Sequence, residues 1–229
     1  MSPRLVLFDI DGTLLSASGI SGRALAEALS DVFGETGPME AYDYSGKTDP
    51  LIVRELMSAA GFPAGEIDSR MERTLAVYEK RLAASLRPEH VRPKPGIPSL
   101  LAALAEEPRA TLGLLTGNLE PCARLKLEPL GVNGHFPFGA YGSDHEDRHR
   151  LPALAVERAR VATGLHFAGK NIVVVGDSVH DVRCGRSLGV RAVAVASGKT
   201  SRERLAEEVP DALLDDFTDT GAALRAILG

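Results

Sequence analysis

Cysteine is nearly absent from this chain, with two in 229 residues, Cys122 and Cys184. They show no metal-ligand spacing, so neither a disulfide framework nor a zinc site is expected, and two free thiols in a reducing, cytoplasmic compartment are. Positive charge is not in excess either. Twenty-six Lys and Arg stand against 31 Asp and Glu, for a net charge of -5, so neither nucleic acid nor an anionic membrane surface is an expected partner. No apolar run approaches the roughly 20 residues of a membrane span. No signal peptide is expected, because Pro3 and Arg4 lead straight into an apolar stretch. Internal repeats and low-complexity tracts are missing. A weakly acidic protein that handles an anion must therefore supply local positive charge or hold a cation.

Beyond these absences, the chain is 44% hydrophobic, ordinary for a globular protein. Its length suits one large domain or a core with a smaller insert. Short apolar runs at 4–8, 111–115, around Ala140, 171–175, 191–195 and 212–214 read as strands bounded by Gly, Asp or Asn. Such near-continuous runs suit strands buried on both faces, hence a parallel sheet. Helical patterns at 97–105, 151–162 and 181–188 fall between them, which predicts a doubly wound, Rossmann-like three-layer α/β/α core. The stretch from Ser16 to about His90 holds no strand pattern. It reads as three helices, at 21–33, 49–60 and 66–86, with Asp49 as N-cap and Pro50 opening the second. The expected division is an α/β core of residues 1–15 and 91–229 with an α-helical cap of residues 16–90 inserted over the sheet's carboxyl edge. The proline-rich segment 87–96 is the return linker, and Leu15–Gly22, with two glycines and several serines, is the expected hinge.

Chemistry-bearing residues collect at predicted strand ends, where open α/β sheets place their sites. The first group is Asp9-Ile10-Asp11-Gly12-Thr13. Two carboxylates held there can divide the work of nucleophile and proton shuttle, or share a metal. The second is Thr116-Gly117-Asn118. The third is a basic residue ahead of the helix at 151–162, either Arg148 or Arg150. The fourth is Gly176-Asp177-Ser178-Val179-His180-Asp181. Each alone is a weak signal, since an Asp after Gly is often a turn or a helix cap. Four in this order, each after a strand, are a strong one.

In these motifs the chain resembles the haloacid dehalogenase-like superfamily, in the branch with an α-helical cap after the first strand, and the resemblance spans essentially its whole length. It implies Asp9 as nucleophile forming an aspartyl-phosphate, and Asp11 as acid and then base. Thr116 with the N–H groups of Gly117 and Asn118 would hold phosphate oxygens, and Arg148 would bind phosphate and Asp9. Mg²⁺ is the implied cofactor, on Asp9, the backbone carbonyl of Asp11, and Asp177. Asp181 would orient a metal-bound water or the basic residue. The implied activity is a phosphatase acting on a small phosphorylated metabolite, phosphoglycolate phosphatase-like, working as a monomer or homodimer. Alternatives are a phosphosugar mutase of the β-phosphoglucomutase type, a pyrophosphatase, a nucleotidase, a 2-haloacid dehalogenase, or a non-catalytic phospholigand-binding protein. Halide-removing relatives lack the carboxylate at the Asp11 position, so Asp11 with Asp177 favours phosphate chemistry.

The chain departs from the family pattern in its third motif, usually a lysine followed by proline. Here Glu146-Asp147-Arg148-His149-Arg150-Leu151-Pro152 offers only arginine, which keeps the charge but not lysine's compact geometry. Arg148 leaves room for a turn before Pro152, and Arg150 stays open. Gly46-Lys47-Thr48 and Gly198-Lys199-Thr200 end like a phosphate-binding P-loop. Ala41 and Val193 stand where that loop needs a glycine, so both are rejected. Lys47 keeps two readings of equal weight, a cap residue meeting a substrate carboxylate or phosphate, and an exposed lysine beside a capped helix.

Overall fold

The computed structural model describes residues 2–17 and 19–229, without the side chain of Ser187. Its centre is a six-stranded parallel sheet in the order β5 (Gly139–Ala140), β4 (Ala110–Leu115), β1 (Arg4–Phe8), β6 (Ile172–Gly176), β7 (Arg191–Val195), β8 (Ala212–Leu214). The expected α/β class is the observed one. The pleat sends alternate side chains to opposite faces. Val6, Phe8, Val173 and Val175 enter one apolar cluster, and Leu5, Leu7, Ile172 and Val174 enter the other. Helices α4 (Ile97–Ala105), α5 (Glu120–Leu127) and α8 (Thr220–Leu228) cover the first face. Helix α6 (Leu151–Thr163) covers the second with Leu151, Ala155 and Ala159. The strands are apolar on both sides because both faces are covered, which is why they read as continuous runs.

Strand β1 lies at the middle of the sheet. The chain runs outward through β4 and β5, then returns to the other side of β1 for β6. The carboxyl end of β1 is therefore where the strand order reverses, the place where such sheets bind ligands.

Above that edge stand α1 (Ile20–Phe33), α2 (Asp49–Ala59) and α3 (Ala64–Ser85). Helix α3 packs on α1, α2 and α5, so the apolar interior of the helical insert is continuous with the core beneath it. The two chain crossings pair as a short antiparallel ribbon, β2 (Leu15–Ser16) with β3 (Arg92–Pro93). This shortens the expected hinge. Leu15 and Ser16 are in the ribbon and Gly22 is inside α1; Ser18 lies outside the described residues.

Two other expectations change. The N-cap of α2 is Thr48, whose hydroxyl accepts from the Leu51 N–H, and Asp49 is the first helical residue. The helix expected over 181–188 is a six-residue α7 (Val179–Cys184) followed, beyond Gly185, by a 3-10 turn at Arg186–Leu188.

Candidate active site

The turn after β1 is built by its own backbone. The N–H groups of Thr13, Leu14 and Leu15 all converge on the Ile10 carbonyl at 2.9–3.2 Å. Gly12 takes φ +93° inside this turn, and a Cβ there would lie 2.4 Å from an Asp177 oxygen. Glycine is thus required both for the backbone conformation and for the approach of the neighbouring carboxylate. The Thr13 hydroxyl bonds outside its own turn: it donates to Asp177 Oδ1 at 3.0 Å and ties β1 to β6.

Asp9 sits just past β1, buried, and accepts from Arg148 Nη2 at 3.0 Å. Arg148 is 4% exposed. The same nitrogen donates to the Leu115 carbonyl at 3.1 Å and to Asp181 Oδ1. Its Nε is buried with no partner among the described residues, so the guanidinium keeps a donor in reserve. Arg150 is exposed at the start of α6 and is not part of this group. Asp181 is fully engaged: Oδ1 holds Arg148, and Oδ2 accepts from the N–H and hydroxyl of Ser178 at the head of α7.

Oxygens of Asp9, Asp177 and Asp181 lie within 4.8 Å of one another, all three residues buried. Burial, then the Asp181 charge, push the Asp9 carboxyl well above the usual range, with Arg148 opposing. Burial and Asp181 lift Asp177 to about 7, with the Thr13 hydroxyl opposing. Like charges gathered in a desolvated pocket resist ionising together, so this donor set fits a hard oxygen-seeking cation. Since Asp181 is spent on Arg148 and Ser178, Asp9 and Asp177 are the side chains left to hold one.

At the end of β4, Thr116 is buried, and its Oγ1 accepts from Asn118 Nδ2 at 2.8 Å. This leaves the Thr116 hydroxyl proton for another acceptor. Asn118 Nδ2 also donates to Asp11 Oδ2 at 2.8 Å. The same Asp11 oxygen accepts from Lys126 Nζ at 2.7 Å, and that ammonium also donates to Asn118 Oδ1 at 2.6 Å. Burial alone would lower the Lys126 pKa, but Asp11 and Asp49 outweigh it and raise it. Lys126 escapes the strand-end reading because it is on a helix. Its signal was nevertheless present: it shares the buried face of α5 with Cys122, Ala123 and Leu127, where the helical period calls for an apolar residue.

The loop before α2 is locked onto these strand ends. The Asp49 N–H donates to the Gly117 carbonyl at 2.8 Å, and Asp49 Oδ2 accepts from the Leu119 N–H at 2.9 Å. The Thr48 hydroxyl donates to the Glu146 carbonyl at 2.6 Å. A Cβ on Gly117 would lie 2.0 Å from the Lys47 carbonyl oxygen. Lys47 lines the chamber, but its ammonium is held by Glu55 at 2.6 Å and by the Tyr42 hydroxyl at 3.1 Å.

Beneath the loop is a chamber of about 710 Å³. Asp9, Asp11, Thr116, Arg148 and Asp177 line its floor, and Leu25, Met39, Tyr44, Ile52 and Tyr78 its upper walls. Gly198 and Lys199, from the rejected P-loop, close it beside Asp177. Both cysteines are buried free thiols, and no described helix is long and apolar enough to cross a membrane.

The sequence pattern described as Haloacid dehalogenase-like hydrolase matches residues 6–195. A phosphoglycolate phosphatase of Agrobacterium fabrum is 28% identical over 98% of this chain and 93% of its own length. Among solved structures, a hydrolase from Pseudomonas syringae superposes with a TM-score of 0.74 at 19% identity, covering 99% of both chains. A β-phosphoglucomutase from Clostridium difficile superposes at 0.71 and 15% identity, over 100% of this chain and 98% of that one. At these identities the two structures establish the fold alone.

Proposed function

Because the chain belongs to the haloacid dehalogenase-like hydrolase family, we propose that it is a Mg²⁺-dependent phosphatase that hydrolyses a small phosphorylated metabolite through an aspartyl-phosphate, in the manner of a phosphoglycolate phosphatase. The observation that carries this reading is the floor of the chamber. A buried carboxylate, Asp9, is paired with a buried guanidinium, Arg148, 3.0 Å away, and a second carboxylate, Asp11, two residues on, opens to the same space.

In the proposed reaction an Asp9 carboxylate oxygen attacks phosphorus in line with the leaving oxygen, forming one P–O bond as the ester P–O bond breaks. The leaving oxygen keeps the electron pair and takes a proton from Asp11. Thr116 donates its hydroxyl to a phosphate oxygen, backed by the N–H groups of Gly117 and Asn118, and Arg148 compensates charge on the transferring group. Asp11, now a carboxylate, takes the proton of a water whose oxygen attacks the aspartyl-phosphate, and Asp9 is released. Asp9, Asp177 and the Asp11 backbone carbonyl would hold Mg²⁺, which would supply the positive charge that lets carboxylate and phosphate dianion approach. Asp181 fixes Arg148 from behind. Residues 16–90 act as a cap that shields the aspartyl-phosphate from bulk water. Because its ammonium is spent on Glu55, Lys47 holds the cap together and is given no phosphate contact.

The chamber is far larger than a two-carbon acid needs, so the substrates tested should range upward in size from 2-phosphoglycolate. Phosphate release from such a panel is expected to require Mg²⁺ and to stop with chelator. Asp9→Asn should lower it by at least about 10³-fold, the scale of losing a covalent nucleophile. A folded, Mg²⁺-binding protein that releases phosphate from no ester overturns the reading.

A further inference from the structure

Lys126 is the one buried lysine among the described residues, and the reaction as written above does not use it. Its position on α5 is an apolar one, flanked by Cys122, Ala123 and Leu127. A buried ammonium persists in such a place only with partners close enough to offset its lost hydration. Its partners are Asp11 and Asn118. The Asp11 side chain is 44% exposed and faces the chamber, so this pair does not fill a core. It reaches from the core to a group that works at the chamber floor.

We propose that Lys126 is a positioning residue for Asp11. Three hydrogen bonds close a ring among Lys126, Asn118 and the one oxygen Asp11 Oδ2. An ammonium has only donors, so Asn118 must turn its carbonyl oxygen to Lys126 and its NH₂ to Asp11. Lys126 thereby fixes the amide's orientation and holds Oδ2 twice, once directly and once through Asn118. Oδ1 has no protein partner among the described residues and remains the oxygen that passes the proton. It gives that proton to the leaving oxygen as the ester bond breaks, and later takes one from the attacking water. Without the ammonium, Asp11 Oδ2 loses its direct hold and the Asn118 carbonyl loses its donor, and the Asp11 carboxylate is free to change rotamer. Misplacing a reacting group by about 1 Å costs on the order of 100-fold.

The proposal rests on the phosphatase reading, and its test separates the two. Lys126→Met and the wild type are compared by kcat/KM on two esters, p-nitrophenyl phosphate and the alkyl phosphate the wild type hydrolyses best. An alkoxide needs a proton to leave and p-nitrophenolate does not, so a misplaced acid weakens one reaction and spares the other. The expected loss is about 100-fold on the alkyl phosphate and under about tenfold on the aryl phosphate, where proton delivery contributes little. Equal losses, or none, overturn the proposal while leaving the phosphatase intact. A wild type that hydrolyses neither ester overturns the reading beneath it. Should Lys126→Met fold poorly, Asp11→Asn and the double variant Asp11→Asn/Lys126→Met are compared on p-nitrophenyl phosphate, since the double variant leaves no half of the ion pair behind. A residue acting through Asp11 adds nothing once Asp11 is gone. A further tenfold loss in the double variant would show that Lys126 acts by another route.

Discussion

Asp49 carries the least conventional carboxylate outside the cluster of Asp9, Asp177 and Asp181. Burial lifts it to about 6, against the pull of Lys126 and of the Leu119 N–H. In an unfolded chain the same group titrates near 4. The folded protein therefore binds this proton more tightly than the unfolded one, and stability falls as pH rises between the two values. The span is worth about 3 kcal/mol, fully present below pH 4 and lost by the time the pH passes 6. An asparagine at 49 keeps an oxygen for the Leu119 N–H and has no proton to lose. Urea unfolding in chelator should therefore show the wild type losing up to about 3 kcal/mol relative to Asp49→Asn between pH 4 and pH 7. Parallel pH profiles would mean that folding does not shift the Asp49 carboxyl. The same residue shows why the α2 boundary was misread. Thr48 and Asp49 are both good N-caps and Pro50 suits either frame. A contact 70 residues away, from Asp49 to Leu119, assigns the capping to Thr48 and the carboxylate to the core loop.

Elements were legible where a local pattern ran long enough. Strands β1, β6 and β7 each carry four consecutive apolar residues among their five, and the carboxylates follow β1 and β6 directly. The ribbon of β2 and β3 was not legible, because two residues a side carry no period and their pairing is set by where the two crossings meet. Nor was the break at Gly185, where a helical pattern continues in sequence but the chain tightens into a 3-10 turn. The site divides the same way. Asp9, Asp11, Thr116 and Asp177 were visible as residues after strands, but the choice of Arg148 over Arg150 depends on which one is buried. The docking of the loop before α2 is a property of elements too, and it hangs on Gly117. Gly117→Ala drives a methyl into the Lys47 carbonyl. Overpacking of this kind costs about 1–3 kcal/mol, and here the relief is for the loop to lift. The expected outcome is a drop in kcat/KM of tenfold or more, with a melting temperature lowered by roughly 2–12 °C (about 2–4 °C per kcal/mol at this chain length). Unchanged turnover would mean the loop's seat on Gly117 has no part in the reaction.

At the scale of the whole molecule, the helical insert is joined to the sheet in two unlike ways. Covalently it hangs on the ribbon of β2 and β3. Non-covalently it is held along α3 and α5, which share one apolar cluster, and by the polar seat of Thr48 and Asp49 on the strand-end loops. An apolar seam and a small set of loop hydrogen bonds open at different free energies, the loops being the weaker. A cap that opens to admit substrate would therefore release the loop seat first while α3 stays packed on α5. Exchange at two amides reports on that seat: the Asp49 N–H, bonded to the Gly117 carbonyl, and the Leu119 N–H, bonded to the Asp49 carboxylate. With Mg²⁺ and beryllium fluoride standing in for the phosphoryl group on Asp9, the strand-end loop is held from below and the seat should open less often. Both amides should then exchange at least about tenfold more slowly, a shift of about 1.4 kcal/mol in opening, while amides inside α3 change little. If α3 slows equally, the insert opens as one body with its apolar seam. If neither amide responds, the loop seat is not coupled to the phosphoryl site, and the cap's closure must be sought in the ribbon.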